Sequence, residues 1–315
     1  MNHFVTLFNF NFLPQGLGMI GSLKKNIDCV IWVICLDEKL YDLLKNKNLE
    51  NVKLIQLKEI EKEINNNYRN NRKFLEYCWM LTPFSMKYVL NQDSNIKEVT
   101  YVDADVYFYK DIKPIFEEFN LSNKNIFITE HGYHKKHNKT EISGRFCVQF
   151  LIMKNNLNAE IIRNEWEQKC VESTTIDHTR NIVGDQKYFD DLYNKYSIDF
   201  CVSKNLNFFQ APWTLDRFNP EDAILYHFHS LRVLEDKIML YSGYNHGENI
   251  INKIYLPYIK TLKNILEEYK LKFNQTISGE KENIFLKIKK IILEKLFKII
   301  TKREMYKYID INKIL

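Results

Sequence analysis

Glu98-Val99-Thr100-Tyr101-Val102-Asp103-Ala104-Asp105-Val106-Tyr107-Phe108 is the stretch that decides the fold. Its β-branched and aromatic residues from 98 to 102 read as a strand entering the core, and that strand stops abruptly at two carboxylates one residue apart. Carboxylates so placed repel each other and lose hydration, which is costly unless something positive lies between them or on a ligand. A divalent cation answers both problems. Hard oxygen ligands suit Mn²⁺ or Mg²⁺, whose remaining positions are commonly filled by phosphate oxygens and water. A solvated Asp-rich turn is the structural alternative.

Outward from this stretch the pattern is β/α alternation. Residues 3–8, 30–36 and 52–57 are short apolar or β-branched runs, each followed by a polar or helix-favouring segment. After Pro14 come Gly16, Gly18 and Gly21, read as a loop leading into a short helix as in a nucleotide-binding α/β unit, or simply as a turn. Residues 72–90 have helical spacing, with Pro83 marking a kink or a new start. Further strands are expected at 125–129, 146–153, 198–202 and 223–228, and helices at 159–170, 185–193 and much of 248–273.

With 315 residues and 45% apolar content, the chain can bury a full core. Residues 1–12 lack the basic and apolar regions of a signal peptide, and no apolar run reaches the roughly 18 to 20 residues of a spanning helix. Six scattered cysteines without Cys-x-x-Cys spacing read as buried thiols of a reducing cytoplasm. The formal charge of +5 is local, because residues 278–315 carry ten Lys/Arg against five Asp/Glu and the first 277 residues balance. A neutral body argues against a nucleic-acid partner. Three parts are expected: a catalytic domain over 1–247, a helix packed on it over 248–277, and a basic amphipathic helical tail over 278–315, with the boundary near Gly279. Between 284 and 300, Lys287, Lys290, Glu294 and Lys298 share one helical face, while Ile284, Ile288, Ile291, Ile292, Leu296 and Ile299 line the other. That is the pattern of an interfacial helix drawn to an anionic membrane surface, or of a helix docked on protein.

Three more segments carry candidate chemistry. In Tyr226-His227-Phe228-His229-Ser230 the two histidines fall on one face of a strand, where either offers a metal ligand. Gly184-Asp185-Gln186 precedes a helical pattern, so Asp185 is either a helix N-cap or a carboxylate placed to orient an acceptor hydroxyl. Trp213 stacks on a sugar face or fills the core.

Taken in order, five segments resemble bacterial nucleotide-diphospho-sugar transferases of cell-surface polysaccharide assembly. They are Glu76-Tyr77-Cys78-Trp79-Met80-Leu81-Thr82-Pro83, Asp103-Ala104-Asp105-Val106-Tyr107-Phe108, Gly184-Asp185-Gln186-Lys187-Tyr188, Ala211-Pro212-Trp213 and Tyr226-His227-Phe228-His229. The likeness spans about residues 3–235 and leaves out the tail. It implies an α/β fold of the GT-A type with a mixed central sheet, and a glycosyltransferase using a nucleotide-diphosphate sugar donor and a glycan or lipid-linked acceptor. By the same resemblance Asp105 is the principal ligand of Mn²⁺ or Mg²⁺, and Asp103 bridges metal and ribose. His229, less favourably His227, completes the metal shell as in glycogenin-type transferases. Leu7, Phe8 and Asn9 hold the nucleotide base, Arg72 is a basic donor contact, and Arg232 meets the diphosphate. Asp185 is the candidate base for inversion, and Gln186 the candidate nucleophile for retention. Relatives often carry Asn-x-Gly where this chain has Cys147-Val148-Gln149. The place implied is the cytoplasm, peripheral on the inner face of the cell membrane. Two alternatives stand beside this: a phosphohydrolase of the haloacid dehalogenase type, which also uses Asp-x-Asp after a strand, and a non-catalytic sugar-binding or assembly subunit.

Overall fold

A computed structural model describes residues 1–62, 64, 68–69, 71–180, 182–244, 246–276, 284–301 and 303–314. The expected boundary around Gly279 lies outside the described residues, as do the side chains of 284–288 in the last helix. In chain order come β1 (Asn2–Phe8), α1 (Leu13–Asn26), β2 (Cys29–Cys35), α2 (Glu38–Lys47), β3 (Val52–Gln56), α3 (Leu57–Glu61), α4 (Phe74–Leu90), β4 (Glu98–Val102) and β5 (Val106–Phe108). Next are α5 (Lys113–Ser122), β6 (Ile126–Glu130), α6 (Thr140–Ser143), β7 (Phe146–Lys154), α7 (Leu157–Glu172), β8 (Ile176–Asp177), β9 (Ile182–Val183), α8 (Tyr188–Tyr196) and β10 (Phe200–Val202). The path ends with β11 (Phe209–Gln210), β12 (Leu225–His227), β13 (Arg232–Leu234), β14 (Lys237–Tyr241), α9 (Glu248–Ile250), α10 (Leu256–Tyr269), α11 (Ile284–Thr301) and β15 (Tyr306–Asp310).

Seven strands form the central sheet in the order β10-β6-β7-β4-β1-β2-β3. All neighbours run parallel except β7, which is antiparallel to both β4 and β6, so the sheet is mixed. Two cores lie on its two faces, as the period of two in a strand dictates. On β1, Phe4 and Phe8 point to the core shared with α1 and α10, while Val5 and Leu7 point to the one shared with α4 and α7. A three-stranded sheet, β11-β12-β5, extends the architecture past the end of β4, with His227 of β12 opposite Val106 of β5. That pairing brings the histidine strand alongside the two carboxylates.

The glycines after Pro14 are not in a loop. Helix α1 begins at Leu13 with Pro14 in its first turn, where a missing N–H costs nothing. A Cβ on Gly16 would lie 2.5 Å from the Phe8 ring, and one on Gly18 would lie 3.3 Å from Tyr258, so close packing explains both residues. Pro83 likewise starts nothing new, since α4 runs through it as one buried helix. Helix α8 begins at Tyr188 with Lys187 at its N-cap, so Asp185 is not capping it.

The C-terminal segment differs from a single basic helix over 278–315. Helix α11 stops at Thr301, and β15 returns to pair antiparallel with β14, Tyr306 opposite Tyr241. Ile311 is then 4% exposed within the main core, and Lys263 Nζ donates to the Ile314 carbonyl at 2.8 Å. No helix among the described residues is long and apolar enough to cross a membrane.

Candidate functional site

The carboxylate turn is clamped from both sides. Asp103 N–H donates to the Gln149 carbonyl of β7 at 3.1 Å, and Phe228 N–H donates to the Asp105 carbonyl at 2.8 Å. The turn therefore cannot move without breaking ties to two strands. Beside it opens a cavity of about 340 Å³ whose walls include Leu7, Phe8, Asn9, Trp79, Thr82, Cys147, Gln149, Gly184, Asp185, Gln186, Trp213 and Arg232.

Asp103, Asp105 and His227 each present a ligand atom, all within 4.8 Å of one another. His227 Nε2 lies 3.1 Å from Asp105 Oδ1 and 3.8 Å from Asp103 Oδ2. On the other side of the ring, Nδ1 lies 2.9 Å from Gln149 Oε1. An amide oxygen only accepts, so Nδ1 carries the proton and Nε2 is left to face the carboxylates. Tyr101 Oη donates to Asp103 Oδ1 at 2.9 Å and fixes that carboxylate's rotation. This donor set of two carboxylates and one imidazole, oriented by outer hydrogen bonds, fits a divalent cation of the Mn²⁺ or Mg²⁺ kind.

The electrostatics follow from the neighbours. Burial raises the Asp105 pKa, but His227, His229 and Arg232 together bring it down to about 2. Burial dominates at Asp103, which His227 lowers and Asp105 raises, and the net shift is upward. His227 loses by burial and gains more from Asp105 and Asp103, so its pKa stands well above the ordinary value. Asp185, only 5% exposed, is pushed up to about 8 by burial and then by the charge of Asp103. Burial also works against the Cys147 thiolate, yet His131 and His227 beside it bring the thiol down to about 7.

The other sequence-derived candidates fall as follows. Leu7, Phe8, Asn9, Asp185, Gln186, His229 and Arg232 all line the cavity. Asn9 Oδ1 accepts from Phe12 N–H at 3.3 Å and shapes the turn after β1. His229 lies exposed two residues past the end of β12, its ring 5.7 Å from that of His227. The resemblance favoured His229 as the third metal ligand; the imidazole that reaches both carboxylates is that of His227. Arg232 Nε donates to the Thr276 carbonyl at 3.0 Å. Arg72 is not among the lining residues, and its guanidinium is engaged by the carbonyls of Tyr68, Cys170 and Val171. Gln186 Nε2 donates to the Ser143 carbonyl at 3.2 Å. Trp213 is both wall and core: 6% exposed, with Nε1 donating to the His131 carbonyl at 2.7 Å and its ring against His227 and His229.

Sequence reasoning missed Tyr101, Thr82 and His131, and treated Gln149 only as a departure. Tyr101 and Asp103 are two apart at a strand end, so the period of two was the available signal. The others reach the site from distant strands and helices, for which one sequence offers no signal.

The same architecture occurs in glycosyltransferases of known structure. The chain superposes on the bifunctional glycosyltransferase WbbM with a TM-score of 0.52 at 14% identity, covering 85% of this chain and 51% of that one. Against GlyE of Streptococcus pneumoniae TIGR4 the TM-score is 0.50 at 13% identity, covering 87% of this chain and 64% of that one. These likenesses define the fold as GT-A. Residues 29–233, more than half of the chain, match the family of nucleotide-diphospho-sugar transferases, and the chain belongs to that family. It is therefore an enzyme of glycosyl transfer from a nucleotide sugar. Among curated proteins, the uncharacterised YfnD of Bacillus subtilis (strain 168) is 27% identical over 294 residues, covering 88% of this chain and 94% of YfnD. The uncharacterised YfnF of the same organism is 26% identical over 193 residues, covering 59% of this chain and 64% of YfnF. The phosphohydrolase alternative falls here, because its motif belongs to a first core strand while Asp103 and Asp105 follow the fourth strand of another family. The reading as a non-catalytic subunit gives way to that of an enzyme on the family match itself.

Proposed function

We propose that the chain moves a sugar from a nucleotide-diphosphate sugar to a cell-surface glycan or lipid-linked acceptor, with Mn²⁺ or Mg²⁺ held by Asp103, Asp105 and His227. The observation that carries this is the convergence of those three ligand atoms within 4.8 Å beside the cavity. When bound, the cation supplies Lewis-acid stabilisation of charge on the departing diphosphate. Leu7, Phe8 and Asn9 line the cavity at the end of β1 and would receive the nucleotide base, and Asp103, its carboxylate held by Tyr101, would serve the cation and the ribose. Arg232 faces the same corner and meets the diphosphate, with the neutral imidazole of His229 beside it. Asp185 and Gln186 line the same cavity and serve the acceptor hydroxyl there. For an inverting reaction Asp185 takes the hydroxyl proton, its raised pKa suiting a base. For a retaining reaction Gln186, which lines the same cavity, is the candidate nucleophile.

The domain plan and the membrane association belong to the same proposal. The body takes in α10 and, past α11, β15 and Ile311, while α11 itself lies on the anionic inner face of the membrane as an interfacial helix. Ile299 and Ile300 are 74% and 78% exposed, and the neighbouring lysines complement acidic headgroups. Truncation before α11 is a poor test, because it also removes β15 and Ile311 from the body. A melting-temperature panel of nucleotide diphosphates and nucleotide sugars, each with and without Mn²⁺, tests the central reading. A true donor stabilises the fold by mass action, about 2.7 kcal/mol at a hundredfold excess over Kd. Stabilisation that is indifferent to Mn²⁺ across the panel would sink the metal-dependent mechanism.

A further inference from the structure

We infer that the loop after β6, residues 131–139, is an acceptor-binding surface that takes the phosphate of a lipid-linked acceptor; this deepens the transferase reading and rests on it. Tyr133 and Lys139 of this loop line the cavity, and Lys135, Lys136 and Lys139 are exposed. None of the three lysines makes an ion pair among the described residues. The carboxylate at the start of the loop is engaged elsewhere, Glu130 being held by Arg145 at 2.7 Å. Arg217 adds a further cation, its Nη1 donating to the Tyr133 carbonyl at 3.0 Å. The loop is also fixed in place. His134 N–H donates to the Trp213 carbonyl at 2.9 Å, Trp213 Nε1 donates back to the His131 carbonyl, and Gly132 supplies the positive φ of +63° that the turn requires.

A chain of rings leads from this loop to α11. His137 contacts Tyr244 at 5.1 Å between centroids, Tyr244 contacts Tyr241 at 5.7 Å, and Tyr241 contacts Phe297 of α11 at 6.1 Å. Tyr244 itself lines the cavity. Cavity mouth, unpaired ammoniums, aromatic strip and exposed apolar helix thus follow one another along the surface. One molecule matches that sequence of chemistry: a sugar hydroxyl in the cavity, a phosphate or diphosphate on the lysines, and a hydrocarbon chain along Tyr244 and Tyr241 towards α11. Lysines bind phosphate as point charges, which this cluster offers beside the cavity.

The test uses the full chain and geranyl diphosphate, a soluble molecule with the phosphate and the hydrocarbon but no sugar. Titration in EDTA removes any cation from the carboxylate corner, so diphosphate binding there is suppressed. Binding that weakens at least tenfold in Lys135→Ala/Lys136→Ala/Lys139→Ala, survives in the triple Arg variant, and exceeds that of inorganic pyrophosphate supports the surface. Equal affinity in the Ala variant and the wild type overturns it, as does pyrophosphate binding as tightly as geranyl diphosphate. If the triple Ala variant melts early, Lys135→Gln/Lys136→Gln serves instead. Vesicles of phosphatidylglycerol separate the remaining source of phosphate: loss of vesicle binding with geranyl diphosphate binding intact makes the lysines a headgroup contact and overturns the proposal. Absence of nucleotide-sugar stabilisation in the same preparation counts against the transferase reading alone.

Discussion

Two corners of one cavity hold carboxylates, one half-buried and one buried, that behave oppositely. At the end of β4, Asp105 is brought down to about 2, whereas Asp185, between β9 and α8, is pushed up to about 8. Burial raises both. The difference lies in the neighbours: Asp105 faces His227, His229 and Arg232, while the nearest charge to Asp185 is another carboxylate, Asp103. Around Asp185 the partners are neutral. Trp79 packs over Gly184, Trp166 Nε1 donates to the Asp185 carbonyl at 3.0 Å, and Thr82 hydrogen-bonds the carboxyl. One corner is thus built to hold charge and the other to hold or receive a proton, the division that acid–base and electrophilic roles require.

Breaking the charged corner should have the largest effect. Asp105→Ala leaves the diphosphate charge uncompensated, and we expect turnover to fall about a thousandfold, on the order of 4 kcal/mol of lost transition-state stabilisation. Asp103→Ala should lose less, because Asp105 and His227 remain. The readout is the Mn²⁺ dependence of donor hydrolysis; an Asp105→Ala enzyme that keeps the wild-type dependence removes this corner from the mechanism.

The uncharged corner is probed through pH. The unfolded chain releases the Asp185 proton near its ordinary value of 3.8 and the folded protein near 8. Between those values the folded state binds more protons, so this group makes stability fall as pH rises. A tenfold difference in proton affinity between the two states is worth about 1.4 kcal/mol, and relaxation of the site should hold the total to a few kcal/mol. Asp185→Asn removes the titration. In the metal-free protein, its melting temperature should exceed the wild-type value by more at pH 8 than at pH 5. A gap that stays constant with pH would mean that Asp185 ionises normally.

The two corners were not equally legible in the sequence. Asp103 and Asp105 announce themselves, because a β-branched run ending in paired carboxylates is a local pattern and the strand period fixes where they point. The environment of Asp185 is assembled from Trp79 on α4 and Trp166 on α7, which no local pattern places together. The choice between His227 and His229 turned on where the strand stops, since the two lie one strand repeat of two residues apart. Strand β12 stops at His227, opposite Val106, and Ser230 then takes a positive φ of +65°, which turns the chain away. Strand β15 was hidden for a similar reason: Tyr306 to Asp310 follows a strongly helical stretch, and only pairing with the distant β14 makes it a strand. The glycines of α1 read as a turn because sequence shows a missing side chain but not the ring that occupies its space.

Gln149 sharpens the comparison with the smallest of these effects, since it touches the charged corner only through His227. It is 1% exposed, and its Oε1 holds the Nδ1 proton of His227 at 2.9 Å, leaving Nε2 towards Asp105. Gln149→Leu keeps most of the volume and removes the acceptor, so the ring loses its fixed tautomer and orientation. Losses of about 10- to 100-fold in metal affinity accompany the removal of such outer partners. We expect a drop in that range for Mn²⁺, read directly by electron paramagnetic resonance of free Mn²⁺ and without recourse to turnover. The unpaired N–H left behind should also cost about 1–3 kcal/mol of stability. Gln149→Glu separates the two consequences: a carboxylate also accepts from Nδ1 and makes the ring a better donor, so affinity should return to the wild-type level or above it. If Leu, Glu and Gln at this position bind Mn²⁺ alike, His227 is not a ligand, and the third position belongs to the exposed imidazole of His229 or to the donor itself.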